Sequence, residues 1–412
     1  MKKYQIDTIE NKEYLKGLRE DLFNFGRNFP SQYGSSYYLG DDGTPWKDRP
    51  RETWITSRML HVYSMAAIMG WKTGKSLAEK ALNGLINELH DDDNGGWYAG
   101  IYPDGSILPG KQCYAHAFVI LAASSAMLAD IPGAEKLFRD ATEVYDRFFW
   151  NEEEGMSADT WDTGFNELSS YRGLNANMHT VEAFLAASDV SSDEKYRIRA
   201  GRIIDRVIKW AEDNKWRIPE HFDGSWNACL YLNEDKPDDP FKPFGATPGH
   251  GIEWARLIVQ WALSTYGKAN AEAENYITVA KQLYDRAVKD AWFADGAPGF
   301  CYTTDWNGMP IVHDRMHWTL AEAINTSAVL YHTTGDSKYA GDYGVFMEYL
   351  DSCVVDHENT SWFHQLDADN RPSGTVWPGK PDLYHAVQAT LIPYEDTAVS
   401  VAVSLLRNKA DK

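Results

Sequence analysis

Three segments place an imidazole beside groups that could tune it for proton transfer. The first is Thr247-Pro248-Gly249-His250-Gly251-Ile252-Glu253-Trp254. Thr247 is suited to a helix N-cap and Pro248 to the first helical residue. His250 then falls in the first turn, with Glu253 one turn later on the same face. The second is Pro381-Asp382-Leu383-Tyr384-His385, where Asp382 is the expected cap and His385 again falls in the first turn. The positive end of a helix disfavours imidazolium, so both rings are expected to be neutral and able to accept a proton. The third, Leu174-Asn175-Ala176-Asn177-Met178-His179-Thr180-Val181-Glu182, repeats the His250/Glu253 spacing with His179 and Glu182. It has an architectural alternative, in which Asn177 caps the helix and His179 is an internally satisfied side chain.

Other residue types widen or narrow the chemistry. Arg58 follows Trp54 by one helical turn, and an Arg beside an indole on an inward face suits an oxygen-rich ligand. The alternative is a surface Arg lying over the ring. His313-Asp314-Arg315-Met316-His317 has the i, i+4 histidine spacing of a zinc helix. Asp stands where the motif has Glu, and no third ligand is evident, so no metal is expected. Nor is there a P-loop, a dinucleotide fingerprint or a G-x-S-x-G elbow. A glycoside hydrolase would need two carboxylates across a bond; Asp162, Asp223 and Glu253 are candidates, but no segment singles out a pair. Trp54, Trp318, Trp362 and Trp377 offer flat apolar faces of the kind that pack against sugar C–H groups.

The elements that must position these groups are mostly helices. Apolar residues recur with a period near 3.6 over 51–70, 74–89, 112–128, 134–149, 178–187, 193–211, 250–266, 272–291, 317–331 and 339–353. The fold class is mainly α. Between helices a second signal repeats: a small-residue turn, a short aromatic strand and an Asp/Asn/Gly turn, at Gly96-Trp97, Gly155-Met156, Ser225-Trp226, Gly299-Phe300 and Ser361-Trp362. This is hairpin chemistry. Arg58, Tyr114, His179, His250, Trp318 and His385 stand near helix starts and recur about every 65 residues. Six such starts, each paired with a second helix, predict about twelve helices closed into an (α/α)6 barrel, with the hairpins over one end. An open solenoid is the alternative.

The chain has 412 residues and a net charge of −20, with 13% aromatics. Global disorder is excluded by the aromatic content, and nucleic acid is disfavoured by an acidic surface without a basic run. The start lacks the apolar run of a signal peptide, and the apolar window 114–131 holds His116, Ser124, Ser125 and Asp130, so it reads as a buried helix rather than a membrane span. The four cysteines form no C-x-x-C pair and read as free thiols in a cytoplasmic protein. Neither nucleic acid nor membrane is an expected partner, and a homo-oligomer is compatible with the sequence.

Taken together, Trp54-Ile55-Thr56-Ser57-Arg58-Met59, Asn94-Gly95-Gly96-Trp97, Asn175-Ala176-Asn177-Met178-His179, Thr247-Pro248-Gly249-His250 and Asp382-Leu383-Tyr384-His385 resemble the N-acylglucosamine 2-epimerase superfamily, closest to its aldose–ketose isomerase branch. The resemblance spans about residues 10 to 395 and implies one (α/α)6-barrel catalytic domain over 1–412. It implies metal-free, cofactor-free conversion of D-mannose to D-fructose, and of D-lyxose to D-xylulose, through a cis-enediol. The alternatives it carries are a sugar 2-epimerase or a sulfoquinovose isomerase. It gives His250 and His385 acid/base roles, and sugar contacts to Trp54, Arg58, Tyr114, Asn175, His179, Glu253 and Trp318. Sulfosugar members carry an Arg and two amides where this chain has Pro240, His364 and Pro381. Their absence leaves a desolvated sulfonate poorly paired, which favours a neutral sugar.

Overall fold

The computed structural model describes residues 4–410, and thirteen α-helices follow one another within them. They are α1 (Ile9–Gly26), α2 (Thr53–Ile68), α3 (Gly74–Asn87), α4 (Cys113–Leu128), α5 (Ala134–Phe148), α6 (Leu174–Ser191), α7 (Glu194–Asp213), α8 (Pro248–Tyr266), α9 (Ala271–Ala291), α10 (His317–Thr334), α11 (Ser337–Tyr349), α12 (Tyr384–Ala389) and α13 (Val401–Ala410). The even-numbered helices α2 to α12 pack in order against one another, and α12 returns to α2. That closes the ring and rules out the open solenoid. Helices α3, α5, α7, α9 and α11 each cover the inner helix before them, and α1 covers α12. The architecture is an (α/α)6 barrel whose last outer position is filled by the first helix of the chain.

Composition explains which helices go inside. Nearly every residue of α2 and α4 is buried, as befits helices apolar on all sides. Outer helices bury one stripe: α7 buries Tyr196, Ala200, Ile203, Ile204, Val207 and Ala211 and leaves its charged face to water. The outer helices α7, α9 and α11 carry side-chain caps, from Asp193, Asn270 and Asp336.

No inner helix has a side-chain cap from its N-cap residue. Their first N–H groups go instead to the hairpin of the next repeat. Thr53 donates to the Ala99 carbonyl, Cys113 to Asp159, Leu174 to Glu220 and His317 to His364, at 2.7–3.1 Å. Pro248 has no N–H, and the stitch moves to a reciprocal pair between Ala246 and Thr304. The ring closes where Lys380 N–H meets the Leu39 carbonyl. Strand pairs reinforce the joints, Arg51 opposite Ile101, Lys111 opposite Trp161, Arg172 opposite Phe222 and Arg315 opposite Leu366. Most of these joints hold a buried ion pair, Arg51–Glu88, Lys111–Asp91, Arg315–Asp295 and Lys380–Asp356.

Some sequence expectations need correction. Helix α6 starts at Leu174, so Asn177 is not its cap; its amide instead clamps the Ser157 backbone, and His179 sits in the second turn. Thr247 is the N-cap of α8, but its hydroxyl makes no hydrogen bond and the joint to the next hairpin does the work. Asp382 is not the N-cap of α12, a position held by Leu383, yet it does accept the Tyr384 N–H at 2.8 Å. The segment 339–353 is helical only to Tyr349 and continues as a π-turn, Leu350–Val354. Helices α1 and α13 were not foreseen. The latter rests on α2 and α4, outside the six pairs. No helix among the described residues is long and apolar enough to cross a membrane.

Candidate active site

The N-terminal turns of all six inner helices open on one cavity, about 760 Å³ including its mouth. Its wall takes Trp54 and Arg58 from α2, Tyr114 from α4, Asn175 and His179 from α6, His250 and Glu253 from α8, His317 and Trp318 from α10 and His385 from α12. The nine residues to which the family resemblance gives roles are thus brought together, with His317 beside them. Six positive helix ends surround the space, so negative charge that develops in a ligand there is favoured.

His385 is the most constrained base. Its Nδ1 lies 3.2 Å from Oε1 of Glu322, one helix away on α10. Burial, then Arg58 and the neighbouring histidines, hold its pKa well below that of free imidazole. The ring is neutral at pH 7, and the carboxylate fixes the proton on Nδ1, leaving Nε2 as the basic atom. Nδ1 of His250 lies 3.0 Å from Oε1 of Glu220, off the axis of a hydrogen bond. Trp318 stands between the two histidines, 5.0 Å from one ring and 5.9 Å from the other.

Arg58 is the cavity's cation. Its guanidinium donates to Asp382 at 3.1 Å and to the Tyr114 hydroxyl at 2.7 Å, and lies 4.9 Å from the Trp54 ring. It is buried, not a surface residue. Burial works against the Asp382 carboxylate, but Arg58 and the Tyr384 N–H hold it below its usual range. Glu253 behaves oppositely. It is 1% exposed and neither carboxyl oxygen has a hydrogen-bond partner. Burial and then the nearby Glu322 carboxylate push it well above the usual range. Burial and the lack of a donor thus favour the protonated form of Glu253. His179, lowered to about 4 by burial, faces Tyr114 edge-on at 5.2 Å.

Residues 34–389 match the N-acylglucosamine 2-epimerase (GlcNAc 2-epimerase) family. The chain belongs to this family. Within reach of it are a D-mannose isomerase of Pseudomonas cannabina pv. alisalensis, 40% identical over 354 residues (86% of this chain and 85% of that protein), and one of Thermobifida fusca, 39% identical over 372 residues (89% and 90%). A solved D-mannose isomerase structure superposes with a TM-score of 0.85 at 25% identity, covering 93% of this chain and 97% of that one. A cellobiose 2-epimerase from Bacillus thermoamylovorans B4167, at TM-score 0.78 and 20% identity over 93% and 98%, shares the fold.

For this family member the zinc-helix spacing fails. His313 precedes α10, is 46% exposed in its side chain and bonds Asp295 at 2.9 Å, whereas His317 begins the helix inside the cavity. Asp295 is itself clamped by both oxygens to Arg315. Asp162 and Asp223 lie in exposed hairpin turns, where they accept backbone N–H groups, so neither pairs with Glu253 in the cavity. Trp362 is buried beneath the α1 side rather than at the mouth. Trp377 does reach the cavity, edge-on to Phe241 at 5.1 Å.

Sequence reasoning missed Tyr302 and Pro243 as cavity wall, and the stacking of His317 on His364, 3.7 Å between ring centroids. It also missed Glu220, Glu322 and Arg256 as the residues beneath it. Part of their signal was present: Glu322 is the one Asp, Glu, Lys or Arg of α10, and Arg256 shares α8 with Glu253 alone, in helices whose residues are nearly all buried. A fully buried charge of that kind implies a partner.

Proposed function

We propose that the protein is an aldose–ketose isomerase that interconverts D-mannose and D-fructose, and D-lyxose and D-xylulose, as a metal-independent cytoplasmic enzyme with one barrel domain. The observation that carries this reading is the pair His385–Glu322 opening on a cavity that also holds His250, Glu253 and Arg58. The identity to named D-mannose isomerases over most of the chain supports the choice of sugar.

The steps follow from the groups present. His250 and the neutral Glu253 move a proton from O1 to O5 and open the hemiacetal. Nε2 of His385 removes the proton on C2, and the enediolate charge on O1 is met by Arg58 and the ring of helix ends. His250 and Glu253 pass a proton from O2 to O1. His385 returns the carbon proton to C1, giving the ketose with no net gain or loss of protons. The indoles of Trp54 and Trp318 pack against the sugar's C–H faces.

Incubation with D-mannose in D2O, followed by NMR, tests this directly. D-fructose as the product, with deuterium at C1 from partial exchange, is expected. D-glucose alone, with no ketose, would mean that epimerisation at C2 is the activity.

A further inference from the structure

Beneath the cavity floor Arg256 gathers an ion cluster that includes Glu253 and Glu322, and the steps above give the arginine itself no part. Arg256, on α8, donates from Nε to Oε2 of Glu322 at 2.7 Å. Its Nη2 is 3.6 Å from Glu253 and 3.9 Å from Glu182, and makes no hydrogen bond. Each glutamate addresses a different part of the cavity. Glu322 holds Nδ1 of His385, Glu182 accepts from the Tyr384 hydroxyl and faces Nδ1 of His179 at 3.6 Å, and Glu253 opens on the cavity itself. All four side chains are at least nine-tenths buried.

Three buried carboxyls facing one guanidinium cannot all be ionised, because each unpaired buried charge costs several kcal/mol. The position of the guanidinium decides which one keeps a proton. Burial raises Glu322 as well as Glu253, but the guanidinium bonds Glu322 directly and opposes that rise, whereas it stands farther from Glu253, which has no other donor. We infer that Arg256 is a positioning residue for catalysis: it holds Glu322 ionised against His385 and leaves Glu253 as the protonated member of the set.

Arg256 itself does not reach the sugar. It is absent from the wall of the catalytic cavity and lines a separate cavity of about 270 Å³ beside Gln260, Glu395, Asp396 and the start of α13. A guanidinium vacated from this site is therefore replaceable from the side away from the substrate. This inference rests on the isomerase reading, and the wild-type enzyme controls for it: absence of ketose from wild type overturns that reading, whereas the comparisons below address Arg256 alone.

Arg256→Met should lower kcat on the order of 10²-fold, the scale of losing an oriented acid/base group, while KM for D-mannose stays within about threefold. The Arg256→Met/Glu322→Gln double variant should be no worse than the poorer single variant, because both break one unit. Arg256→Ala should recover at least about tenfold in kcat with millimolar guanidinium chloride, and not with ammonium chloride of equal strength. In wild type the His385 Nδ1–H should give a downfield proton resonance that Arg256→Met loses. A folded Arg256→Met with near-normal kcat, a rise in KM matching the fall in kcat, or losses that multiply in the double variant would overturn the inference. If Arg256→Met does not fold, Arg256→Lys carries the same cycle with Glu322→Gln, and multiplicative losses there overturn it equally.

Discussion

Glu322, with no exposed surface, meets Nδ1 of His385 at 3.2 Å across the α10–α12 seam. The contact joins residues 63 apart in sequence, and it orients the ring that we propose acts on C2 of the sugar. Glu220 also stands near His250, 3.0 Å from its Nδ1, but off the axis of a hydrogen bond. One imidazole of the cavity is therefore oriented by its carboxylate, and the other is only accompanied by one.

Replacing either histidine by asparagine should cost roughly 10²–10⁴-fold in kcat while leaving the fold intact, since both sit in first turns at the cavity wall. His385→Asn should also abolish exchange of the C2 proton with D2O, whereas His250→Asn retains slow exchange on spontaneously opened sugar. Residual exchange confined to His385→Asn, followed by NMR, would reverse the two roles.

The pH dependence follows from burial. His385 works unprotonated and its pKa is depressed, so the acid limb of kcat/KM should lie below pH 6.5, the value of free imidazole. His61, His179 and His317 are each lowered by burial to about 4. The unfolded chain takes up these protons near pH 6.5 and the folded chain only near 4, so their contribution to stability is lost as pH falls through that window. Urea midpoints that stay flat from pH 6.5 to 4 would contradict the burial of these rings.

Arg58→Met should strip the cavity of its cation and strand Asp382. Breaking a buried pair in this way costs about 3–5 kcal/mol, so denaturant unfolding should register the loss together with a fall in kcat. The Arg58→Met/Asp382→Asn double variant should recover much of the stability and none of the activity.

Activity should persist after prolonged EDTA treatment and dialysis. Ligand atoms of His179, Glu182 and Glu253 lie within 4.8 Å of one another, but the Arg256 guanidinium already stands beside both glutamates, at 3.9 and 3.6 Å. Loss of turnover on chelation, restored by a divalent ion, would place a metal in this cluster instead.

Substrate charge is set by the wall. Pro240, His364 and Pro381 all line the cavity, and Arg58, its cation, is engaged by Asp382 and Tyr114. D-Mannose and D-lyxose should therefore be turned over with a much higher kcat/KM than sulfoquinovose. The reverse ranking would mean that an anion finds a partner elsewhere in the cavity.

Periodicity made five of the six helix pairs legible, because an inner helix buried on all sides is followed by an outer one; the sixth pairs the six-residue α12 with α1 from the other end of the chain, and no local pattern joins them. Histidines near helix starts were legible because cap-like residues precede them. The groups beneath the cavity were not, since Glu322 and Arg256 find each other across 66 residues and only closure of the barrel brings them together. Helix starts erred for a related reason. A side-chain cap can be read locally, as at Asp193, but the cap of α6 is the Glu220 carbonyl, 46 residues downstream of Leu174. His313 and His317 mislead in the same way, because a strand joint, Arg315 opposite Leu366, separates them.

The stitches between repeats also divide each hairpin into two regions with different freedom to change. The root, such as Ile101, Thr304 or Leu366, is bonded to the residues that launch the neighbouring inner helix. The tip at Asp104-Gly105 meets only solvent and its own turn, whereas Asn307 is tied to Arg217 and Asn370 to Tyr349 and Pro298. Insertions or grafted sequences at a free tip such as 104–105 would leave the catalytic groups in register, while a one-residue deletion at a root would rotate the adjoining helix start. The barrel thus separates a surface open to evolutionary drift, or to deliberate loop exchange, from a circumference that tolerates almost none.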